Sequence, residues 1–292
     1  MAYDQNSGSA NVRSVLYDAM VKGFANATFK FKQAVNVISA AEFTNYYAKE
    51  NPTILSDLSS INSVQGIPRG AEFPSLSESW DRASSVLLQF GAEETLSYMD
   101  LISDWINVEE RSTFRIAEAV ANQIDQYILN GLSENNSPTN IQTFAAYAGW
   151  NQSSAAIVDD LEQAEQLIGT YYYDTSDLLV YVGLRDKRAL VKWLTDKGAQ
   201  FPAISEGLLG ERNGVIGKLG NKTFIVTPLM TVSRALVVVP KRCATLREKE
   251  PLSTITKVDE FKSKTIRSSG VCTLQVTDPK AIVWITGTQI GA

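Results

Sequence analysis

The sequence contains no histidine. Imidazole is the commonest general base and the commonest nitrogen ligand, so Ser-His-Asp triads and zinc-histidine sites cannot be built from this chain. Only two cysteines occur, Cys243 and Cys272, without the close pair spacing of structural zinc or redox sites. Both fall in segments read as strands, and two buried free thiols are expected. No window approaches eighteen uninterrupted apolar residues, which excludes a membrane-spanning helix. The opening MAYDQNSGSANVRSV has no basic stretch followed by an apolar one, so it is not read as a secretory signal, and a cytosolic origin is expected. Lysine is missing from residues 51–186, and there is no internal repeat or low-complexity tract.

What is present fits a soluble chain with a sizeable core. The 292 residues are 44% apolar and 20% charged, enough for one large or two modest domains. The net charge of −5 hides a strong polarity. Residues 51–186 hold 20 acidic and 5 basic side chains, whereas residues 187–292 hold 8 acidic and 17 basic. Such segregation suits either a mixed solvated surface or complementary contact between copies, where charge sets register.

Along the chain, a polar start leads into a thinly amphipathic NVRSVLYDAMVKGF, read as a mobile arm with one short helix. Residues 35–97 show little periodicity until SVLLQFGAEETLSY, which can form one arm of a hairpin closed through the preceding strand. Then comes the clearest signal. In SDWINVEERSTFRIAEAVANQIDQYILNG, Ile106, Phe114, Ala117, Val120 or Ala121, Ile124, and Tyr127 or Ile128 recur at helical spacing, with Ser103 as a start cap and Gly131 after the last periodic residue. This predicts a helix of roughly 25 residues, a spine about 40 Å long. A helix near residues 155–168, a strand LLVYVG, a helix RDKRALVKWLTDKG, strands TFIVTPLM and ALVVVP, long edge-exposed strands after Lys241 and a final strand DPKAIVWITGT complete the reading.

Catalytic motifs fail on inspection. The stretch EGLLGERNGVIGKLGNK invites comparison with a phosphate-binding loop. Counting back from Gly217-Lys218, the first required glycine falls on Arg212, and Lys218 is followed by Leu219 instead of a hydroxyl residue. A loop that uses glycine for positive φ is the better account. The adjacent pairs Glu93-Glu94, Glu109-Glu110 and Asp159-Asp160 read as solvated faces, since sequence neighbours do not face one another on a helix. The C-terminal basic residues carry no interleaved aromatics and no nucleic-acid motif.

One segment is too apolar for an idle linker. IPRGAEFPSLSESWDRAS, residues 67–84, sets Phe73, Leu76 and Trp80 among prolines and charges. It is either a surface loop folded back on its own domain or an arm laid on another molecule.

The order of these elements resembles the major capsid proteins of tailed bacteriophages and related archaeal viruses, whose fold is shared with encapsulin shells. The resemblance runs from about Phe31 onward, through IPRGAEFP, RASSVLLQFGAEETLSY, the spine ERSTFRIAEAVANQIDQYILNG, DLLVYVGLRDKRALVKWL, LGNKTFIVTPLM and the terminal DPKAIVWITG. It implies an α+β, L-shaped fold: an N-terminal arm (1–35), an extended loop region (36–98), a peripheral domain with the spine helix and long strands (99–150 and 241–275), and an axial domain (151–240 and 276–292). It implies a non-enzymatic function, self-assembly into the hexamers and pentamers of an icosahedral shell around double-stranded DNA held without sequence preference. No cofactor or metal is expected. Scaffolding, portal or decoration proteins are further expected partners, a membrane is not, and the place of action is the virion, assembled in host cytoplasm. Phe73, Leu76 and Trp80 would be covered by the neighbouring copy, with Arg69, Asp81 and Arg82 as polar partners around them. Some capsids of this family join neighbours by an isopeptide bond between a loop lysine and an asparagine, assisted by a glutamate. Here the lysine is missing, with only Lys49 near the loop base, and the matching strand FKSKTIRSSGVCTL holds neither asparagine nor carboxylate. Two other readings stay open: an encapsulin-type compartment shell, and a histidine-free enzyme using the glycine-rich loop.

Overall fold

The computed structural model describes residues 29–51, 66–72, 79–102, 108–133, 141–197, 215–230, 233–258 and 263–289. The predicted helix within residues 11–24, the start cap Ser103 and most of the glycine-rich stretch lie outside them.

Two sheets and one long helix organise the chain. A four-stranded sheet has the order β1-β10-β11-β4, where β1 is Asn36–Ser39, β4 Leu88–Leu96, β10 Thr245–Val258 and β11 Lys264–Gln275. A six-stranded sheet has the order β5-β12-β9-β6-β8-β7, with β5 Gln142–Ala145, β6 Leu178–Val182, β7 Val215–Leu219, β8 Lys222–Val226, β9 Arg234–Val238 and β12 Ile282–Thr286. The third sheet is a ribbon of β2 (Thr44–Asn51) and β3 (Ser79–Val86). This mixed α+β architecture matches the sequence expectation at the level of class.

The spine helix is α2, Val108–Gly131, preceded by a short α1, Tyr98–Ile102. Its 24 residues span about 36 Å at 1.5 Å each. Ile116, Ala117, Val120, Ala121, Ile124, Ile128 and Leu129 are buried, the stripe that the 3.6-residue period dictates. Glu109 and Glu110 in its first turn suit the positive end of the helix dipole. Gly131 is helical here, not a residue beyond the end, and its reason is packing: a Cβ there would overlap the Leu274 side chain of β11. At the same end, Trp284 Nε1 donates to the Leu132 carbonyl at 2.8 Å, so the spine meets both sheets.

The six-stranded sheet holds most of the core. All five residues of β6, LLVYV, are buried, because both of its faces are covered. Helices α3 (Ile157–Gly169) and α4 (Leu184–Lys197) flank β6 in sequence. Within α3 the neighbouring carboxylates part company, which corrects the reading of both as solvated: Asp159 is exposed, but Asp160 turns inward. Its oxygens accept from Trp150 Nε1 and the Tyr147 amide, each at 2.9 Å, and satisfy the buried indole. One position along a helix rotates a side chain by about 100°, which is why adjacent acids meet different surroundings.

Two further expectations are corrected. β4 forms no hairpin with β3: the chain breaks at buried Leu87, β3 pairs with β2, and β4 crosses to β11. Cys243 lies in the turn before β10, and only Cys272 is in a strand; both are buried free thiols, as expected, and burial pushes each up to about 12.

Candidate assembly interface

The ribbon is the feature that the rest of the fold does not absorb. Among the described residues, β2 and β3 pair only with each other, from Thr44↔Val86 to Asn51↔Ser79. Directly opposed residues share a face, and faces alternate along a strand. The face with Asn45, Tyr47 and Lys49 is sheltered: Asn45 and Lys49 are buried and Tyr47 is half-buried. Burial raises the Tyr47 phenol, offset in part by a backbone hydrogen bond at Val276. The opposite face is open. Tyr46 is 61% exposed, Val86 47%, and Ala48, Arg82 and Ser84 are exposed beside them. The Arg82 guanidinium lies over the Tyr46 ring, 4.2 Å from its centre, at diagonal positions of that face.

The base of the ribbon is bolted to the four-stranded sheet. Arg247 Nε donates to Gln275 Oε1 at 2.9 Å, Gln275 Nε2 donates to Ser85 Oγ at 2.8 Å, and Ser85 Oγ donates to the Asn45 carbonyl at 3.4 Å. Gln275 is buried, so both ends of its amide are used. This fixes where the ribbon leaves the body.

The residues expected at an interface fall as follows. Arg82 is on the open face, and Arg69 is exposed in the turn closed by the Ala71 amide on the Pro68 carbonyl at 3.1 Å. Trp80 and Asp81 pair in the ladder with Glu50 and Lys49, while their side chains, like Phe73 and Leu76 entirely, lie outside the described residues. The structure therefore does not bring the six together as a described cluster.

A second exposed apolar patch escaped the sequence reading. At the far end of the four-stranded sheet, Leu96, Lys264 and Val258 are in register, and α1 follows directly. Val258 is 70% exposed and Met99 71%, and Ile102 is also exposed, whereas exposed Ile255 lies on the other face of the sheet. Its signal was the short SYMDLIS run, too brief for any period to stand out.

A groove of about 930 Å³ beside α3 is lined by Leu161, Glu162, Glu165, Trp193, Asn221 and Lys222 among others. Burial works against the charge on Glu165, but hydrogen bonds from Lys222 and Asn221 outweigh it and hold the carboxyl below its ordinary range. An ionised carboxylate tied to a lysine is a structural pair and a poor proton acceptor. Where the glycine-rich stretch is described, it is the β7-β8 hairpin, with Gly220 at φ +63° in its turn.

Comparison with known proteins follows this geometry. The phage capsid protein family matches residues 83–285. No curated protein is similar in sequence. Among solved structures, the virus-like particle from Pyrococcus furiosus is similar at a TM-score of 0.63 and 9% identity, covering 94% of this chain and 99% of that one. The capsid of the cyanophage P-SCSP1u gives 0.66 and 10%, covering 90% and 89%. Mycobacterium phage Che8 gives 0.64 and 16%, covering 90% and 92%. At such identities the likeness is one of fold.

Proposed function

We propose that this chain, which belongs to the phage capsid protein family, is the major shell subunit of a virion and works by binding copies of itself. The shell is icosahedral, built of hexamers and pentamers, and encloses double-stranded DNA without reading its sequence. The observation that carries the reading is the two-faced ribbon: one side sheltered, the other offering Tyr46, Arg82 and Val86 to something outside the chain. An arm of this kind adds contact area without a core of its own, which suits a permanent interface.

In the proposed division of labour, residues 1–35 are an arm whose last part, residues 29–35, is seated in the core, the ribbon and its connection form the reaching loop, the four-stranded sheet with the spine is peripheral, and the six-stranded sheet is axial. The ribbon of one subunit lies over the peripheral part of the next. Trp80 and Arg69 belong to the same contact.

The enzymatic alternative loses its ground, because the family is one of structural proteins. A compartment shell remains the second reading, on the strength of the similarity in fold to the Pyrococcus furiosus particle. Sedimentation of the purified protein tests the proposal: it should run as a closed species far larger than the 32.0 kDa chain, and nuclease-resistant DNA within it would favour the virion. Protein cargo would favour the compartment. A monomer at all concentrations would defeat both.

A further inference from the structure

The two sheets are joined by two short linkers running side by side. Residues 239–244 lead from β9 to β10, and residues 276–281 lead from β11 to β12. They hold each other through the Val239 amide on the Ala281 carbonyl at 3.1 Å and the Asp278 amide on the Cys243 carbonyl at 3.3 Å. Lys241, between them, has φ +61°, a left-handed backbone rare for a residue with a side chain. The pair has the form of a hinge, two short connections tied to each other side by side.

Residues 29–36 are inserted at that hinge. Phe31 is fully buried and stacks on Tyr181 of the six-stranded sheet, ring centres 4.5 Å apart. Tyr181 also donates its hydroxyl to the Lys30 carbonyl at 3.0 Å. The Ala34 carbonyl accepts from the Lys241 amide at 2.7 Å and from Cys243 Sγ at 3.5 Å, and the Asn36 amide donates to the Ala244 carbonyl at 2.9 Å. On the third side, buried Asp125 of the spine accepts the Lys30 amide at 2.6 Å through Oδ2 and lies near enough to the Phe31 and Lys32 amides for them to favour its charged form. The short turn Phe31–Gln33 has no capping side chain of its own, so a carboxylate from another element does that work.

We propose that residues 29–36 are a detachable wedge that sets the angle between the two sheets, pinned by Asp125 and Tyr181. The inference rests on the fold and holds whatever the shell encloses. The segment can leave without breaking a sheet from within. β1 is an edge strand bonded to β10 alone, the Lys32 ammonium pairs with Glu248 of β10 at 2.6 Å, other hydrogen bonds go to the spine, to Tyr181 or to a linker, and Phe29, Phe31, Ala34 and Val35 are packed into the core. With the wedge seated, spine, sheet and linkers are one unit; with it withdrawn, the linkers and the end of the spine, which touches both sheets, are what remains between them, and Lys241 can relax.

Hydrogen exchange on the full chain tests the wedge. Peptides covering 239–244 and 276–281 report the hinge, and peptides from the β11-β4 and β9-β12 ladders report the sheets. Tyr181→Phe removes one hydroxyl and keeps the ring, so it preserves the fold; Phe31→Ala empties the seat. Hinge peptides should exchange about tenfold faster in Tyr181→Phe, the size of one buried hydrogen bond, and faster still in Phe31→Ala, with the sheet ladders unchanged. If hinge and ladders accelerate together, residues 29–36 are ordinary core; if Tyr181→Phe moves neither, the wedge does not control the hinge. Either result overturns the proposal.

Discussion

Arg82 and Tyr46 form a cation–π pair on the open face of the ribbon, with the guanidinium 4.2 Å from the ring centre and both residues exposed. An exposed pair of this kind stabilises its own chain by only about 0.5–1 kcal/mol. As an anchor covered by a neighbour it is worth far more. Replacing both by alanine should therefore leave the melting temperature of the unassembled subunit within a few degrees of its original value, yet weaken association by about 2 kcal/mol or more per contact. Trp80→Ala should behave likewise. A variant that assembles normally but melts much lower would place these residues in a core instead.

Asp125 gives a pH dependence with a definite sign. Burial pushes its carboxyl up to about 6, against the opposing effect of the Lys30, Phe31 and Lys32 amides. The folded state thus holds the proton more tightly than the unfolded chain, where the value is near 3.9. Its stabilising contribution is complete below about pH 4 and is lost as pH rises through 6, in all about 3 kcal/mol for two pK units. Urea denaturation of the original protein and of Asp125→Asn at several pH values between 4 and 7 separates this group from Asp186, which burial also raises. The difference between the two stability curves should slope across that window. Parallel curves would refute it.

At Gly131, the last residue of the spine helix, a Cβ would overlap the Leu274 side chain of β11. Glycine to alanine stabilises a helix interior by up to about 1 kcal/mol, and a terminal residue such as Gly131 by less. Here overlap should dominate, and a net loss of about 1–3 kcal/mol in chemical denaturation is expected. A gain in stability would show that Leu274 moves aside freely.

How much of this was legible beforehand differs by element. The spine announced itself, because Ala117, Val120, Ile124 and Ile128 repeat at helical spacing over a length that short-range chemistry controls. β6 was legible as an unbroken apolar run. The pairing of β4 with β11 was not, since partners so far apart in sequence leave no local trace and a hairpin is the default reading. Asp160 was misjudged for a related reason: it is buried by Trp150, whose position no helical period reports. Of the proposed interface residues, Arg82 came from the family resemblance, whereas its partner Tyr46 and the exposed residues Met99 and Val258 carried no motif and became visible only through register and exposure.

The shell should be held by noncovalent contacts alone. Lys49, paired with Asp81 in the ribbon, is 5% exposed on the sheltered face, and β11 presents neither an asparagine nor a carboxylate along Lys264–Gln275. An amine so placed cannot reach a neighbour as a nucleophile. Particles boiled in detergent should give a single band near 32.0 kDa on a denaturing gel. A ladder that resists reductant would contradict this.

The measurement that bears most directly on the account is an electron cryomicroscopy reconstruction of the assembled particle, read at residues 44–51 and 79–86. The account predicts a closed shell in which the open face of each ribbon, with Tyr46, Arg82 and Val86, lies against the four-stranded sheet or spine of an adjacent copy. A shell whose ribbons fold back on their own subunits, or face solvent with no neighbour in contact, would contradict it.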